Sequence, residues 1–136
     1  MKLSARNQLK GKVTNVQEGA VNSIVTIDVN GSSVTATISK AAVKELELAK
    51  GVDAVAVIKA TEVMIGKGTF KLSARNQFPG KVLSVEEGAV NSIVKIDSSV
   101  GQITATISNA AVNDLGLAKG VDATAVIKAT SVMVGR

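Results

Sequence analysis

Three short polar clusters stand out in this chain, and each occurs twice. Ser4-Ala5-Arg6-Asn7 returns as Ser73-Ala74-Arg75-Asn76, and Lys59-Ala60-Thr61 as Lys128-Ala129-Thr130. Glu18-Gly19-Ala20-Val21-Asn22-Ser23 returns as Glu87-Gly88-Ala89-Val90-Asn91-Ser92. The first cluster joins a hydroxyl, a guanidinium and an amide beside an alanine small enough to leave backbone N–H groups approachable. All of these donate hydrogen bonds, which suits an oxyanion with only acceptor oxygens. The second places a compact cation at the end of the apolar run 55–58, on a rigid scaffold. The third can present successive backbone N–H groups to an anion as a nest. Ser39 and Ser108 add a hydroxyl at a helix start, where an anion could also sit. Each feature also has a plain structural reading: a solvated segment with its Arg in a surface ion pair, a snorkelling Lys, a glycine turn, an ordinary helix cap.

Composition removes most other chemistry. The chain has 136 residues with no His, Cys, Trp or Tyr and two Phe. Without His or Cys there is no Ser-His or Cys-His nucleophile pair, no ordinary zinc site and no disulfide. No carboxylate pair marks a general acid–base cleft, and no glycine motif marks a nucleotide site. The reading is therefore a binding protein and not an enzyme. The excess of five positive charges is spread evenly, nine basic and six acidic groups in residues 1–68 against seven and five in 69–136. A nucleic-acid binder would show a clustered basic stripe and stacking aromatics, so no nucleic-acid partner is expected. No stretch is apolar enough for a membrane span and the start lacks a secretion signal, so no membrane partner and a cytoplasmic location are expected.

The elements that must position these clusters come from a duplication. Pairing each residue from 2–67 with the one 69 positions later gives 46 identities in 66 pairs without a gap. The expected domains are residues 1–67 and 68–136, joined at Gly66-Lys67-Gly68-Thr69-Phe70. The differences gather at residues 29–34 against 98–103, and at Lys40, Lys44, Glu45 and Glu47 against Asn109, Asn113, Asp114 and Gly116, a hairpin tip and an exposed helical face.

Each copy reads as mostly β. Residues 11–17 alternate, Gly19 marks a turn, and 21–29 form a second strand. Asn30-Gly31 is a hairpin signal before a third strand over 34–38. Ser39 caps a short helix over 40–48 that Lys50-Gly51 ends, and 54–60 and 63–65 supply the last strands. The fold class is all-β: two tandem OB-like Greek-key barrels, each with one short helix. Domains this small bury little apolar surface, so self-association is expected.

Taken together, Ser-Ala-Arg-Asn-Gln, Glu-Gly-Ala-Val-Asn and Ile-Lys-Ala-Thr before Val-Met resemble the molbindin (Mop) domain, called TOBE in molybdate transporters and regulators. The resemblance covers both copies. It implies cytoplasmic molybdate binding and storage, with tungstate as a mimic, on OB-like barrels that assemble as a homotrimer. It also implies interface sites of two classes. One takes Ser4, Ala5, Arg6, Asn7, Lys59 and Ala60, or Ser73, Ala74, Arg75, Asn76, Lys128 and Ala129, with Ser39 or Ser108 from a neighbour. The other uses the loops Gly19, Ala20, Val21, Asn22 and Gly88, Ala89, Val90, Asn91. The alternative is a molybdate-sensing module acting through a separate partner protein. Pro79 stands where the first copy has Lys10 and removes a backbone donor, so the copies differ there if that edge pairs.

Overall fold

The Val- and Ile-rich alternation of each copy becomes a curled antiparallel sheet. A computed structural model describes all 136 residues. In the first copy the strands are β1 (Asn7–Glu18), β2 (Asn22–Val29), β3 (Ser32–Ser39), β4 (Asp53–Ile58) and β5 (Met64–Gly66), with helix α1 (Lys40–Glu45) after β3. The second copy repeats them as β6 (Asn76–Glu87), β7 (Asn91–Ser98), β8 (Gly101–Ser108), α2 (Asn109–Leu115), β9 (Asp122–Ile127) and β10 (Met133–Gly135). A single 3-10 turn, Ala60–Glu62 or Ala129–Ser131, precedes each last strand. These are the expected tandem OB-like units.

Chain order predicts that each last strand stays with its own copy, and the structure corrects this. The first sheet runs β10-β4-β1-β2-β3 and the second β5-β9-β6-β7-β8, so the copies exchange their final strands. Met133 pairs with Val57, and Met64 with Val126. Both strands have nearly the same sequence and fit either sheet, so side-chain pattern could not distinguish the two outcomes. The exchange joins the interiors: 25 buried apolar residues drawn from both copies form one core cluster. That continuity relieves the small-domain problem, because neither half has to bury its surface alone.

Local geometry follows the sequence closely elsewhere. Asn30 and Gly31 both take positive φ, 52° and 86°, as a tight hairpin turn requires. β1 makes a bulge between Val13 and Asn15 in its pairing with β2, and β6 repeats it between Val82 and Ser84. Such bulges bend and twist a strand, which lets each sheet curl. Gly11 sits where that curl presses β1 onto β2: a Cβ there would lie 2.1 Å from the Asp28 carbonyl oxygen. The helix expected over residues 40–48 is shorter, because Glu47 adopts a left-handed φ of 53° and terminates it. β1 begins earlier than expected, at Asn7, since residues 7–12 pair with β4 before β2 joins. Pro79 leaves the register intact. It faces Thr124 as Lys10 faces Val55, and β7 joins only from Gly80, so the missing N–H falls at a free edge.

Candidate oxyanion site

Two segments converge at one end of each barrel. The first is the N-terminal stretch leading into β1; the second is the 3-10 turn at the end of β4. Between them lies a cavity of about 490 Å³ lined by Ser4, Ala5, Arg6, Lys59, Ala60 and Thr61 together with apolar neighbours. The second copy builds the same cavity from Ser73, Ala74, Arg75, Lys128, Ala129 and Thr130, at about 340 Å³. The two polar clusters, far apart in the chain, therefore line one cavity.

The charge of this cavity is one-sided. Arg6 and Lys59 line it, no carboxylate does, and neither cation takes part in an ion pair. Glu62, the nearest acid in sequence, accepts a hydrogen bond from Ser131 Oγ at 3.1 Å instead. The remaining polar groups of the lining are donors as well. Ser4 and Thr61 contribute hydroxyls, and the N–H groups of Ala60 and Thr61 open the 3-10 turn without a backbone acceptor. A group of this composition stabilises a multiply charged acceptor and offers little to a cation.

Gln8 holds the first segment in place, a role the sequence reading did not assign. Its Nε2 donates to the Ala5 carbonyl at 2.9 Å and the Leu3 carbonyl at 3.3 Å. Gln77 does the same for Ala74 and Leu72, at 2.9 and 3.1 Å. The repeated Gln directly after Asn was the available signal. A second omission had no signal: Met133, Val134 and Gly135 line the first cavity and Met64 the second, brought there by strand exchange.

Two groups of expected site residues lie elsewhere in the chain. The Asn7 side chain is 1% exposed. Its Nδ2 donates to the Thr104 carbonyl and its Oδ1 accepts from the Thr104 N–H, both at 2.8 Å. Asn76 clasps Thr35 identically. Each amide imitates one residue of a neighbouring strand and joins the start of one barrel to the edge of the other. Neither amide lines a cavity, so within the chain both act as cross-links between the copies. Ser39 and Ser108 cap α1 and α2, accepting from Ala42 N–H at 3.0 Å and Ala111 N–H at 3.1 Å. They pair in register with Asn22 and Asn91, beside the Gly-Ala-Val-Asn loops and outside both cavities.

Those loops are exposed turns. The Gly19 N–H donates to the Asn22 carbonyl at 2.8 Å and the Gly88 N–H to Asn91 at 2.9 Å, leaving the N–H groups of residues 20 and 21, and of 89 and 90, without backbone acceptors.

Two OB-like units that exchange their last strands, each with a cavity lined by cations, hydroxyls and free N–H groups, are the features to set beside known proteins. The model of the TOBE domain matches residues 3–65 and again 72–134. The chain belongs to the TOBE-domain family, as a two-domain member of the molbindin type. It is 43% identical over 138 residues to the molybdenum transport protein ModE of Herbaspirillum seropedicae, covering 98% of this chain and 51% of that protein. The probable molybdenum-pterin-binding protein of Haemophilus influenzae is 60% identical over 67 residues, 48% of this chain and 97% of that protein. The chain spans about half the length of the curated relatives that it matches end to end. Among solved structures, the cytoplasmic molybdate-binding protein ModG with molybdate bound superposes with a TM-score of 0.94 at 41% identity, covering 99% of both chains.

Proposed function

We propose that this protein binds molybdate, with tungstate as a mimic, and serves in its cytoplasmic storage and homeostasis without catalysing a reaction. The observation that carries this reading is the duplicated cavity with two unpaired cations, hydroxyls and free N–H groups and no carboxylate. A tetrahedral dianion has acceptors and no proton, so every group around it can be satisfied. Hydrogen phosphate keeps a proton that only the hydroxyls of this lining can accept, and leaving it unpaired costs about 1–3 kcal/mol. The likeness to ModG, a molybdate-binding protein, supports the same ligand.

The assignment of residues follows the two classes. Ser4, Ala5, Arg6, Lys59 and Ala60 hold one anion, and Ser73, Ala74, Arg75, Lys128 and Ala129 another. The loops at residues 19–22 and 88–91 make the second class. Ser39 and Ser108 complete a cavity only from a neighbouring chain, which a homotrimer supplies. Exposed Leu3 and Met133 at one cavity, and Leu72 and Met64 at the other, give such an assembly apolar surface to cover. The copies divide between residues 67 and 68, each lending its last strand to the other. A second reading, a molybdate-sensing module acting through a partner, is favoured by the match to about half of ModE.

Native mass spectrometry with molybdate and then with sulfate at equal concentration tests the proposal. The expected result is a trimer that takes up several molybdates, with uptake largely abolished in Arg6→Ala/Arg75→Ala, while the sulfate arm reads how far cavity size discriminates between two proton-free dianions. A monomer that binds neither anion, or unchanged affinity in the double variant, refutes it.

A further inference from the structure

Glu62 and Ser131 occupy the same position in the two copies, 69 residues apart, and they touch: Ser131 Oγ donates to Glu62 Oε2 at 3.1 Å. A position that meets its own counterpart lies on the pseudo-twofold axis relating the copies. The other links across the chain come in two equivalent versions. Asn7 clasps Thr104 as Asn76 clasps Thr35. Met133 pairs with Val57 as Met64 pairs with Val126. Arg136 donates to the Leu46 carbonyl at 3.1 Å as Lys67 donates to the Leu115 carbonyl at 2.9 Å. Any two copies, alike or unlike, can make those links. The contact on the axis depends on which two copies meet.

Two first copies would set carboxylate against carboxylate there, a like-charge contact. Two second copies would set hydroxyl against hydroxyl, a neutral bond. Only a first copy with a second sets a hydroxyl donor against an ionised acceptor, which is the stronger, charge-assisted arrangement. Nothing nearby cancels the difference. The turn Ala60–Glu62 packs against β8 and the turn Ala129–Ser131 against β3, and neither strand carries a charged side chain. Lys59 and Lys128 precede the two turns, and neither makes an ion pair with Glu62. Glu62 and Ser131 also lie outside the linings of both cavities, so this contact is free of the anion-binding role.

We infer that Glu62 and Ser131 tell the copies apart: the face around the axis accepts a copy of the other kind and rejects a copy of its own kind. Mixed pairing is favoured about tenfold over the two like pairings, the sum of one hydrogen bond gained and one carboxylate contact avoided. The near-identical last strands leave exchange between the first copies of two chains open, and Glu62 opposes it.

Four full chains measure this preference without separating the copies. Ser131→Glu carries the contact that two first copies would make, and Glu62→Ser the contact that two second copies would make. Glu62→Ser/Ser131→Glu restores the mixed contact with the groups exchanged. In thermal and urea unfolding at low salt and neutral pH, Ser131→Glu should melt about 3 °C below the parent chain, Glu62→Ser less far below, and the exchanged variant level with the parent. Two facing carboxylates raise each other's folded pKa, so the Ser131→Glu deficit belongs to neutral pH and should shrink as pH falls through the carboxylate range. It should shrink in about 0.5 M salt as well. A purely steric defect would follow neither variable. The inference is overturned if the four stabilities are additive, if the exchanged variant melts as low as Ser131→Glu, or if the Ser131→Glu deficit ignores both salt and pH.

Discussion

Replacing Asn7 by Ala should be among the most damaging single changes outside the apolar core. The substitution removes both hydrogen bonds to the Thr104 peptide. At about 1 kcal/mol net each, their loss alone costs about 2 kcal/mol. Thr104 is only 8% exposed, so its N–H and carbonyl are then left without water to replace the amide. That adds about 1–3 kcal/mol, for a total of roughly 3–5 kcal/mol. For a chain of this size the melting temperature should fall by about 10 °C or more. Asn76→Ala removes the same two bonds from Thr35, which is half-buried, so water can partly replace them. It should cost roughly half as much. The assay is urea unfolding followed by far-UV circular dichroism, which suits a chain without Trp or Tyr. Asn7→Asp keeps the acceptor and turns an oxygen toward the Thr104 carbonyl in a buried place, so it should be no better than Ala. If Asn7→Ala loses less than about 1 kcal/mol, the view of this amide as a strand-like cross-link is wrong. Equal costs for Asn7→Ala and Asn76→Ala would refute the part of the reasoning that rests on burial.

Other expectations can be checked with the same assay. Gly11→Ala should destabilise by several kcal/mol, because its Cβ would collide with backbone and not with a movable side chain; near-native stability would refute the close approach. Glu47→Gly should stabilise by about 1 kcal/mol, since Glu47 holds a left-handed φ of 53° where the second copy has Gly116. The Arg136 bonds to the Leu46 and Glu47 carbonyls survive that change, being made to backbone. The Lys12 ammonium, 2.6 Å from Asp53, holds that carboxyl below its ordinary value through a hydrogen bond and its charge, with Arg136 adding to the effect. A lowered folded value means the pair contributes above the unfolded carboxylate value and is lost as pH falls through the folded one. Asp53→Asn should therefore lower stability slightly at neutral pH and not at all in strong acid, and added salt should shrink the difference because the pair is exposed.

Much of the barrel was legible because a half-buried strand writes its pairing into alternate residues. Val25, Ile27 and Val29 are buried as their spacing implied, and Asn30-Gly31 makes the turn its chemistry requires. Three things were not legible, for different reasons. The destination of the last strand was hidden because Met64-Ile65-Gly66 and Met133-Val134-Gly135 suit either sheet equally. Asn7 looked like a ligand because its amide has the donors a ligand needs; that a distant peptide already uses them is a tertiary fact. The place of Ser39 within its own chain, capping α1 beside the loop and outside the cavity, likewise depends on tertiary pairing, and its expected role is toward the cavity of a neighbouring chain. The cavity itself was legible in part. Each repeated cluster pointed by itself to anion chemistry, only the resemblance joined them, and the structure sets them around one cavity.

The exchanged strands give the linker at residues 67–70 an unusual status. In an ordinary tandem protein the connection is what keeps two independent bodies together. Here each half is threaded into its twin, with Met133–Gly135 in one sheet and Met64–Gly66 in the other. A protease cut between Lys67 and Thr69 would leave two fragments clasped like folded hands, each needing the other to complete a sheet and a cavity. The connection matters for assembly, because it keeps each copy at a high local concentration of its own complement and away from other chains. It also lets the two complementary halves diverge, as at Lys40 and Asn109, since a particular Lys40 half is always delivered with its Asn109 counterpart.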